Sequence, residues 1–188
     1  MPHYKKIVGR LCYLSPVSDE DAEKWTNWFN DFEVTIPLGD EAYIPTNLNN
    51  EQRNISDILQ HNLHVFSIVD LNSDELIGRC VLFNIDKINR HAMFGIVIGE
   101  KSYWSKGYGQ EATKLILDYG FNLLNLHNIM LGVFSYNKAA INCYKKAGFK
   151  EIGSRRQARI IGGKKYDIIF MDIIADEFTS IYINKFLE

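Results

Sequence analysis

The stretch best equipped for chemistry lies midway along the chain and reads Phe94-Gly-Ile-Val-Ile98, Gly99-Glu-Lys-Ser-Tyr-Trp-Ser-Lys106, then Gly107-Tyr-Gly109-Gln-Glu-Ala112. An apolar strand pattern runs into a glycine-containing loop that opens a helix pattern. Such a loop offers backbone N–H groups without intrahelical partners, at the positive end of a helix dipole. That combination binds phosphate. Gly107 and Gly109 let the backbone approach an anion closely. Lys101 and Lys106 add positive charge, although a lysine in such a place is more commonly just solvated. A Walker A loop is excluded, because no Gly-Lys-Ser/Thr triplet occurs. Gly107-x-Gly109-x-x-Ala112 satisfies the relaxed dinucleotide fingerprint, but that fold needs an acid near the end of the following strand to hold a ribose. No Asp or Glu occurs from 119 to 150, and antiparallel strand patterns precede the motif. The dinucleotide reading fails.

Residues 96–112 resemble the acetyl-CoA-binding motif of the GNAT family of N-acetyltransferases, whose loop reads Gln/Arg-x-x-Gly-x-Gly/Ala. The matching residues are Trp104-Ser-Lys-Gly107-Tyr-Gly109, with Trp104 where the family often has Gln or Arg. A second family motif follows at the family's spacing: Asn137-Lys-Ala-Ala-Ile-Asn-Cys-Tyr144-Lys-Lys-Ala-Gly148-Phe149. The resemblance spans about residues 10–174. It implies a strand splayed from its neighbour, with backbone at Val97, Ile98 and Gly99 free for a pantetheine arm. It also implies a pyrophosphate on the amides of Ser105, Lys106, Gly107, Tyr108, Gly109 and Gln110, flanked by Trp104. Asn137 matches a coenzyme contact and equally suits a helix N-cap. Tyr144 matches a tyrosine that donates to the coenzyme sulfur, although Ala140, Ile141 and Tyr144 also form an ordinary packing stripe.

Moving an acetyl group from a thioester to an amine needs a proton acceptor for the amine, a donor for the oxyanion and a proton for the thiolate. Tyr144 is the residue expected to serve the thiolate. Many relatives carry a glutamate base on the pre-loop strand, and Met93 stands there instead. Asp31, Glu33, Glu41, Glu100 or a water relay remain for the base. The N-terminal half, with Asp21-Ala-Glu and Trp28-Phe-Asn-Asp31, is similar to the branch of ribosomal-protein N-terminal and spermidine acetyltransferases. On that resemblance Trp28, Asp31 and Glu33 lie on the acceptor side. Asp31, Glu33, Asp40 and Glu41 would suit a cationic, polyamine-like acceptor. A protein N-terminus, an amino sugar and a non-catalytic acyl-CoA-binding module stay open, and the last could dispense with Tyr144. The expected partners are coenzyme A and an amine, and relatives of this kind are commonly homodimers.

The elements that must position these residues follow from pattern. Strands are expected at 10–14, 63–69, 76–85, 91–98, 129–134, 151–161 and 165–174, the last two joined by Gly162-Gly163 as a two-residue hairpin turn. Helices are expected from Ser18 as cap, with Ala22, Trp25, Trp28 and Phe29 as its apolar stripe, and at 52–63. Others follow Gly107, span 137–147 with Gly148 as stop, and span 176–187. Residues 31–50 read as a mobile loop. Together these predict a single α+β domain over 1–188, its mixed, mostly antiparallel sheet flanked by helices. Lys+Arg of 21 against Asp+Glu of 23 gives no support for a nucleic-acid or polybasic membrane binder. The uncharged run 119–137 is broken by Asn122, Asn125, His127 and Asn128 and reads as helix end, turn and strand rather than a membrane span. Cys12, Cys80 and Cys143 form no ligand cluster, so free thiols and no metal site are expected, in a cytoplasmic protein without an apolar signal core. The 10 Tyr, 11 Phe and 3 Trp exceed what an ordinary core needs, which makes their placement a question for the structure.

Overall fold

The computed structural model describes residues 3–186. Its strands are β1 (Ile7–Val8), β2 (Cys12–Pro16), β3 (His64–Asp70), β4 (Leu76–Asp86), β5 (His91–Ile98), β6 (Asn128–Phe134), β7 (Lys150–Ile161) and β8 (Lys164–Ile174). Its helices are α1 (Asp21–Phe29), α2 (Phe32–Thr35), α3 (Leu48–Gln60), α4 (Tyr108–Asn122) and α5 (Lys138–Ala147). All eight strands form one sheet in the order β1-β2-β3-β4-β5-β6-β8-β7. Only β5 and β6 run parallel, because α4 carries the chain between them. This is the mixed, mostly antiparallel sheet that the residue pattern predicts.

Local chemistry sets the turns. Asp86 accepts the amides of Ile88 and Asn89, both at 2.8 Å, and so closes the β4–β5 hairpin. Gly162 and Gly163 take φ of 56° and 75°, the left-handed pair that a tight hairpin requires. Gly148 ends α5 at φ 113°. One face of the sheet packs on α4 and α5 through Ala112, Leu115, Ile116 and Ile141. The other packs on α1 and α3 through Trp25, Trp28, Phe29, Ile55 and Ile58.

Three expectations about local structure are corrected. No helix spans 176–187: short 3-10 turns occupy Ala175–Glu177 and Asn184–Phe186, and Leu187 lies outside the described residues. The amides of Ile181, Tyr182 and Ile183 turn instead to the buried carboxylate of Asp118, which also accepts the Ser180 hydroxyl at 2.7 Å. Ser18 does not cap α1, which begins at Asp21. The Asp21 carboxylate reaches back to the Ser18 amide (3.0 Å) and across to Ser67 (2.5 Å). Residues 31–50 are not a plain loop, since they hold α2, a 3-10 turn at Asp40–Ala42 and the start of α3, whose cap is Asn47. The run 119–137 is the end of α4, a turn and β6, and no helix among the described residues is long and apolar enough to cross a membrane.

The start of α4 is fixed by Glu111. Its carboxylate accepts the amides of Arg10 (2.9 Å), Leu11 (2.6 Å) and Cys12 (2.9 Å), which binds the start of β2 to α4. Removing the acceptor leaves those donors unpaired at a buried junction. Glu111→Ala should therefore lower the unfolding free energy by roughly 3 kcal/mol. Urea denaturation at unchanged m-value checks this, and a loss below about 0.5 kcal/mol would mean that water replaces the carboxylate.

Candidate active site

The site begins where β5 and β6 part. They pair only at His91↔Asn128, Ala92↔Ile129 and Met93↔Met130, although both strands continue. The phase of β5 follows from its far end, where the Gly99 amide donates to the Ile77 carbonyl at 2.9 Å. Backbone groups alternate sides along a strand. Those of Val97 and Gly99 therefore turn to β4, and those of Ile96 and Ile98 turn to the gap. This corrects the expected placement: the gap-facing backbone belongs to Ile96 and Ile98, not to Val97 and Gly99. Trp104 enters here as well, its indole N–H donating to the Ile98 carbonyl at 2.7 Å. A side chain that differs from the family pattern thus closes the loop onto the strand.

Past Gly99 the chain makes a 3-10 turn at Lys101–Tyr103 and then bends sharply, with Ser105 at φ 59° and Gly107 at φ 92°, before α4 starts at Tyr108. Among the described residues the amides of 105–110 have no hydrogen-bond acceptor. They form an open cradle of donors at the N-terminus of a helix of 15 residues. The two tyrosines of this loop point away from it. Tyr108 donates to Asp70 at 2.5 Å, which pushes its phenol up to about 12, and Tyr103 donates to Glu75 at 2.9 Å. They anchor the cradle to the β3–β4 turn. Gln110 donates to the Lys146 carbonyl at 3.2 Å and ties α4 to α5. Lys106 is exposed at the rim and unpaired among the described residues.

Trp28, Asp31 and Glu33 were expected beside the acceptor, and the structure gives each another task. Trp28 is 4% exposed and lies flat on Gly99, where an added Cβ would come within 2.0 Å of the ring. Its indole donates to Glu100 at 3.2 Å, and Lys24 bridges Glu100 and Glu75. Asp31 pairs with Lys101 at 2.9 Å, and Glu33 pairs with the same ammonium. These contacts bolt α1 and α2 to the loop before α4.

Tyr144 projects from α5 toward the vertex of the gap. Its half-buried ring packs edge-on to Phe94 (6.1 Å between centroids) and Phe149 (5.9 Å). Burial pushes its phenol well above the ordinary tyrosine range. Its hydroxyl has no hydrogen-bond partner among the described residues. Asn137 is the N-cap of α5, accepting the Ala140 amide at 3.1 Å, and donates to the Pro37 carbonyl at 3.2 Å. Tyr136 and Arg159 likewise donate to the carbonyls of Ile36 (2.6 Å) and Gly39 (3.0 Å). The segment expected to be mobile is strapped across the sheet.

On the α1 and α3 side lies a cavity of about 410 Å³ lined by Phe29, Glu41, Ile44, Glu51, Asn54 and Arg79. Arg79 was missed by sequence reasoning. The signal available was a lone cation inside the apolar run Leu76-Ile-Gly-Arg-Cys-Val-Leu82.

An acetyltransferase (GNAT) domain model matches residues 10–150. The chain belongs to the GNAT acetyltransferases. It is 29% identical over 162 residues to an uncharacterized N-acetyltransferase p20 of Bacillus licheniformis, covering 85% of this chain and 90% of that one. It is 32% identical over 130 residues to the spermidine N(1)-acetyltransferase of Escherichia coli K12, covering 67% and 69%. The crystal structure of spermidine N-acetyltransferase from Vibrio cholerae in complex with CoA and spermine superposes with a TM-score of 0.80 at 27% identity, covering 89% of this chain and 97% of that one. This GNAT protein is accordingly an acetyl-CoA-dependent N-acetyltransferase acting on amines.

Two glycines of the site separate packing from ligand approach. Gly99→Ala must displace the Trp28 ring, so it should lower the melting temperature by several degrees and weaken CoA binding about tenfold or more. Gly109→Ala meets only ordinary contacts, Cys143 at 3.6 Å and Ile98 at 3.7 Å. It should melt no lower than the wild type while still losing CoA affinity. Thermal melts with and without CoA check both, and equal CoA affinity in Gly109→Ala would remove close backbone approach from the account.

Proposed function

We propose that acetyl transfer is direct, from acetyl-CoA held in the β5–β6 gap to the primary amine of a small molecule. The observation that carries this reading is the unpaired stretch of β5 beyond Met93, which ends on the amide cradle of residues 105–110. The donor set fits the coenzyme from end to end. The cradle and Lys106 suit a pyrophosphate, the backbone of Ile96 and Ile98 suits the amides of a pantetheine arm, and the vertex holds a free phenol. Acetyl-CoA supplies the acetyl group activated as a thioester.

Each remaining task falls to a residue of this chain. Tyr144 holds its proton at the vertex and gives it, or a hydrogen bond, to the sulfur as the carbon–sulfur bond breaks. The N–H groups of Ile96 and Ile98 face the gap and are donors for the acetyl oxygen as it gains charge. The amine's proton needs an acceptor, and Met93 offers none. Of the carboxylates weighed from sequence, Asp31 and Glu33 are held by Lys101, and Glu100 is held by Lys24 and Trp28. Glu41 makes no ion pair among the described residues and lines the cavity, so we assign it the amine's proton, directly or through water. The free thiols of Cys12, Cys80 and Cys143 support a cytoplasmic setting.

Tyr144→Phe should reduce kcat by roughly 100-fold with CoA affinity unchanged. Steady-state thiol release and calorimetric CoA titration test this, and an unchanged kcat would remove the acid role. The phenol's raised pKa carries a sign. It keeps its proton beyond the ordinary value near ~10, so the wild-type kcat should show no alkaline loss from this group up to about pH 10.

A further inference from the structure

Arg79 is charged, held rigidly and unused by the chemistry described so far. It lies on β4 directly opposite Val97 of β5, on the sheet face covered by α1 and α3. Its guanidinium sits over the rings of Trp25 (4.5 Å) and Phe29 (4.4 Å), which fix its plane. It makes no hydrogen bond and no ion pair with any described residue. A guanidinium keeps its charge and carries five donors, so one left half-buried without an acceptor is incomplete. Its acidic neighbours do not complete it. Glu51 already accepts from Thr46 (2.6 Å) and Asn54 (3.3 Å), and Glu41 stands apart.

The position connects to the reaction. Register sets Arg79 opposite Val97, Val81 opposite Gly95 and Phe83 opposite Met93. Alternation then puts all six residues on one face. Gly95 has no side chain, Val81 and Met93 are half-buried and Phe83 is exposed, so this strip of β4 and β5 between Arg79 and the gap is partly open to solvent. Along this face the four-residue step from Val97, opposite Arg79, to Met93, where β5 and β6 part, is about 13 Å.

We infer that the acceptor is a small amine that also carries a carboxylate, and that Arg79 is the residue that recognises it. The inference rests on the transferase reading above. A polyamine offers no acceptor to Arg79 and leaves its donors unpaired. A doubly charged phosphate would meet Asp40, Glu41 and Glu51 at the same cavity. A single carboxylate satisfies the guanidinium fork, while those acids suit the amine's ammonium form.

The test uses the full chain with acetyl-CoA and matched acceptors: 4-aminobutyrate against 4-aminobutyramide, lysine against spermidine, and phosphoethanolamine. Wild type should prefer the carboxylate of each pair by about tenfold or more in kcat/KM. Arg79→Gln should lose that preference, with kcat/KM for 4-aminobutyrate falling roughly 10- to 100-fold, mostly through KM. Arg79→Lys keeps charge without the fork and should fall between them. An unchanged CoA-induced thermal shift in both variants shows that they fold. The inference is overturned if the amide, spermidine or phosphoethanolamine is used as well as the amino carboxylates, or if Arg79→Gln keeps the preference. Should no amine release thiol, the transferase reading fails on its own. Calorimetry of 4-aminobutyrate without coenzyme then decides the inference, since binding that needs Arg79 upholds it and absence of binding ends it.

Discussion

An interior strand with one unpaired edge is an unfavourable thing to build, and this molecule is organised around one. β5 is paired to β4 from Met93 to Ile98 and again at His91, but to β6 only as far as Met93. Beyond that point the backbone of Ile96 and Ile98 faces a space rather than a neighbour. Buried N–H and C=O groups in that condition carry a penalty of a kcal/mol or more each unless something supplies the missing bonds. Trp104 meets one of them, the Ile98 carbonyl, with its indole. The rest are available to a ligand that is itself a chain of amides. The sheet thus stores an interaction that only an extended polar molecule completes.

Such a gap closes unless its walls are held apart, and the packing around it does this from both faces. On one side the rings of Phe94, Tyr144 and Phe149 fill the vertex, and Gln110 fastens α4 to the end of α5. On the other, Trp28 lies on Gly99 so closely that no side chain fits there, which fixes the last residue before the loop. Glu100, Lys24, Glu75 and Tyr103 continue that clamp into the β3–β4 turn. The amide cradle is therefore an extension of the core. Its bend at Ser105 and Gly107 is held by anchors on both sides rather than by local preference alone.

The parts legible in the sequence are those fixed by local periodicity and turn chemistry. Strand β5, the glycine loop, the Asn137-to-Gly148 helix and the Gly162-Gly163 hairpin depend on near neighbours and match their expected places. The misses share one cause, a tertiary partner that no local pattern reveals. The helical pattern of 176–187 loses its backbone donors to Asp118, more than 60 residues away, as seen in the Ser180 and Ile181 bonds. Residues 31–50 look mobile because of Pro37, Gly39 and Pro45, yet their carbonyls are held by Tyr136, Asn137 and Arg159 from beyond β6. The phase of β5 was equally hidden. Residue type cannot tell whether Ile98 or Gly99 faces the gap, and a single bond from Gly99 to Ile77 decides it.

Charge shows the same division between what composition suggests and what contact decides. A basic loop beside an acidic segment looks, in sequence, like one site for an anion and another for a cation. In the folded chain much of that charge is consumed internally, because Lys101 takes both Asp31 and Glu33. Lys106 is unpaired among the described residues at the rim of the amide cradle, while Arg79 and Glu41 share the cavity on the α1 and α3 side without bonding to each other or to another charge among the described residues. A cavity holding one fixed cation and nearby carboxylates is complementary to neither a pure anion nor a pure cation. It is complementary to a molecule bearing both charges. The aromatic excess serves the same end, since Trp25 and Phe29 hold the Arg79 guanidinium in plane and Tyr43 and Phe134 do likewise for Arg159 beneath the strap. Rings that composition alone would assign to filling the core instead lie against two cations, the half-buried Arg79 and the buried Arg159.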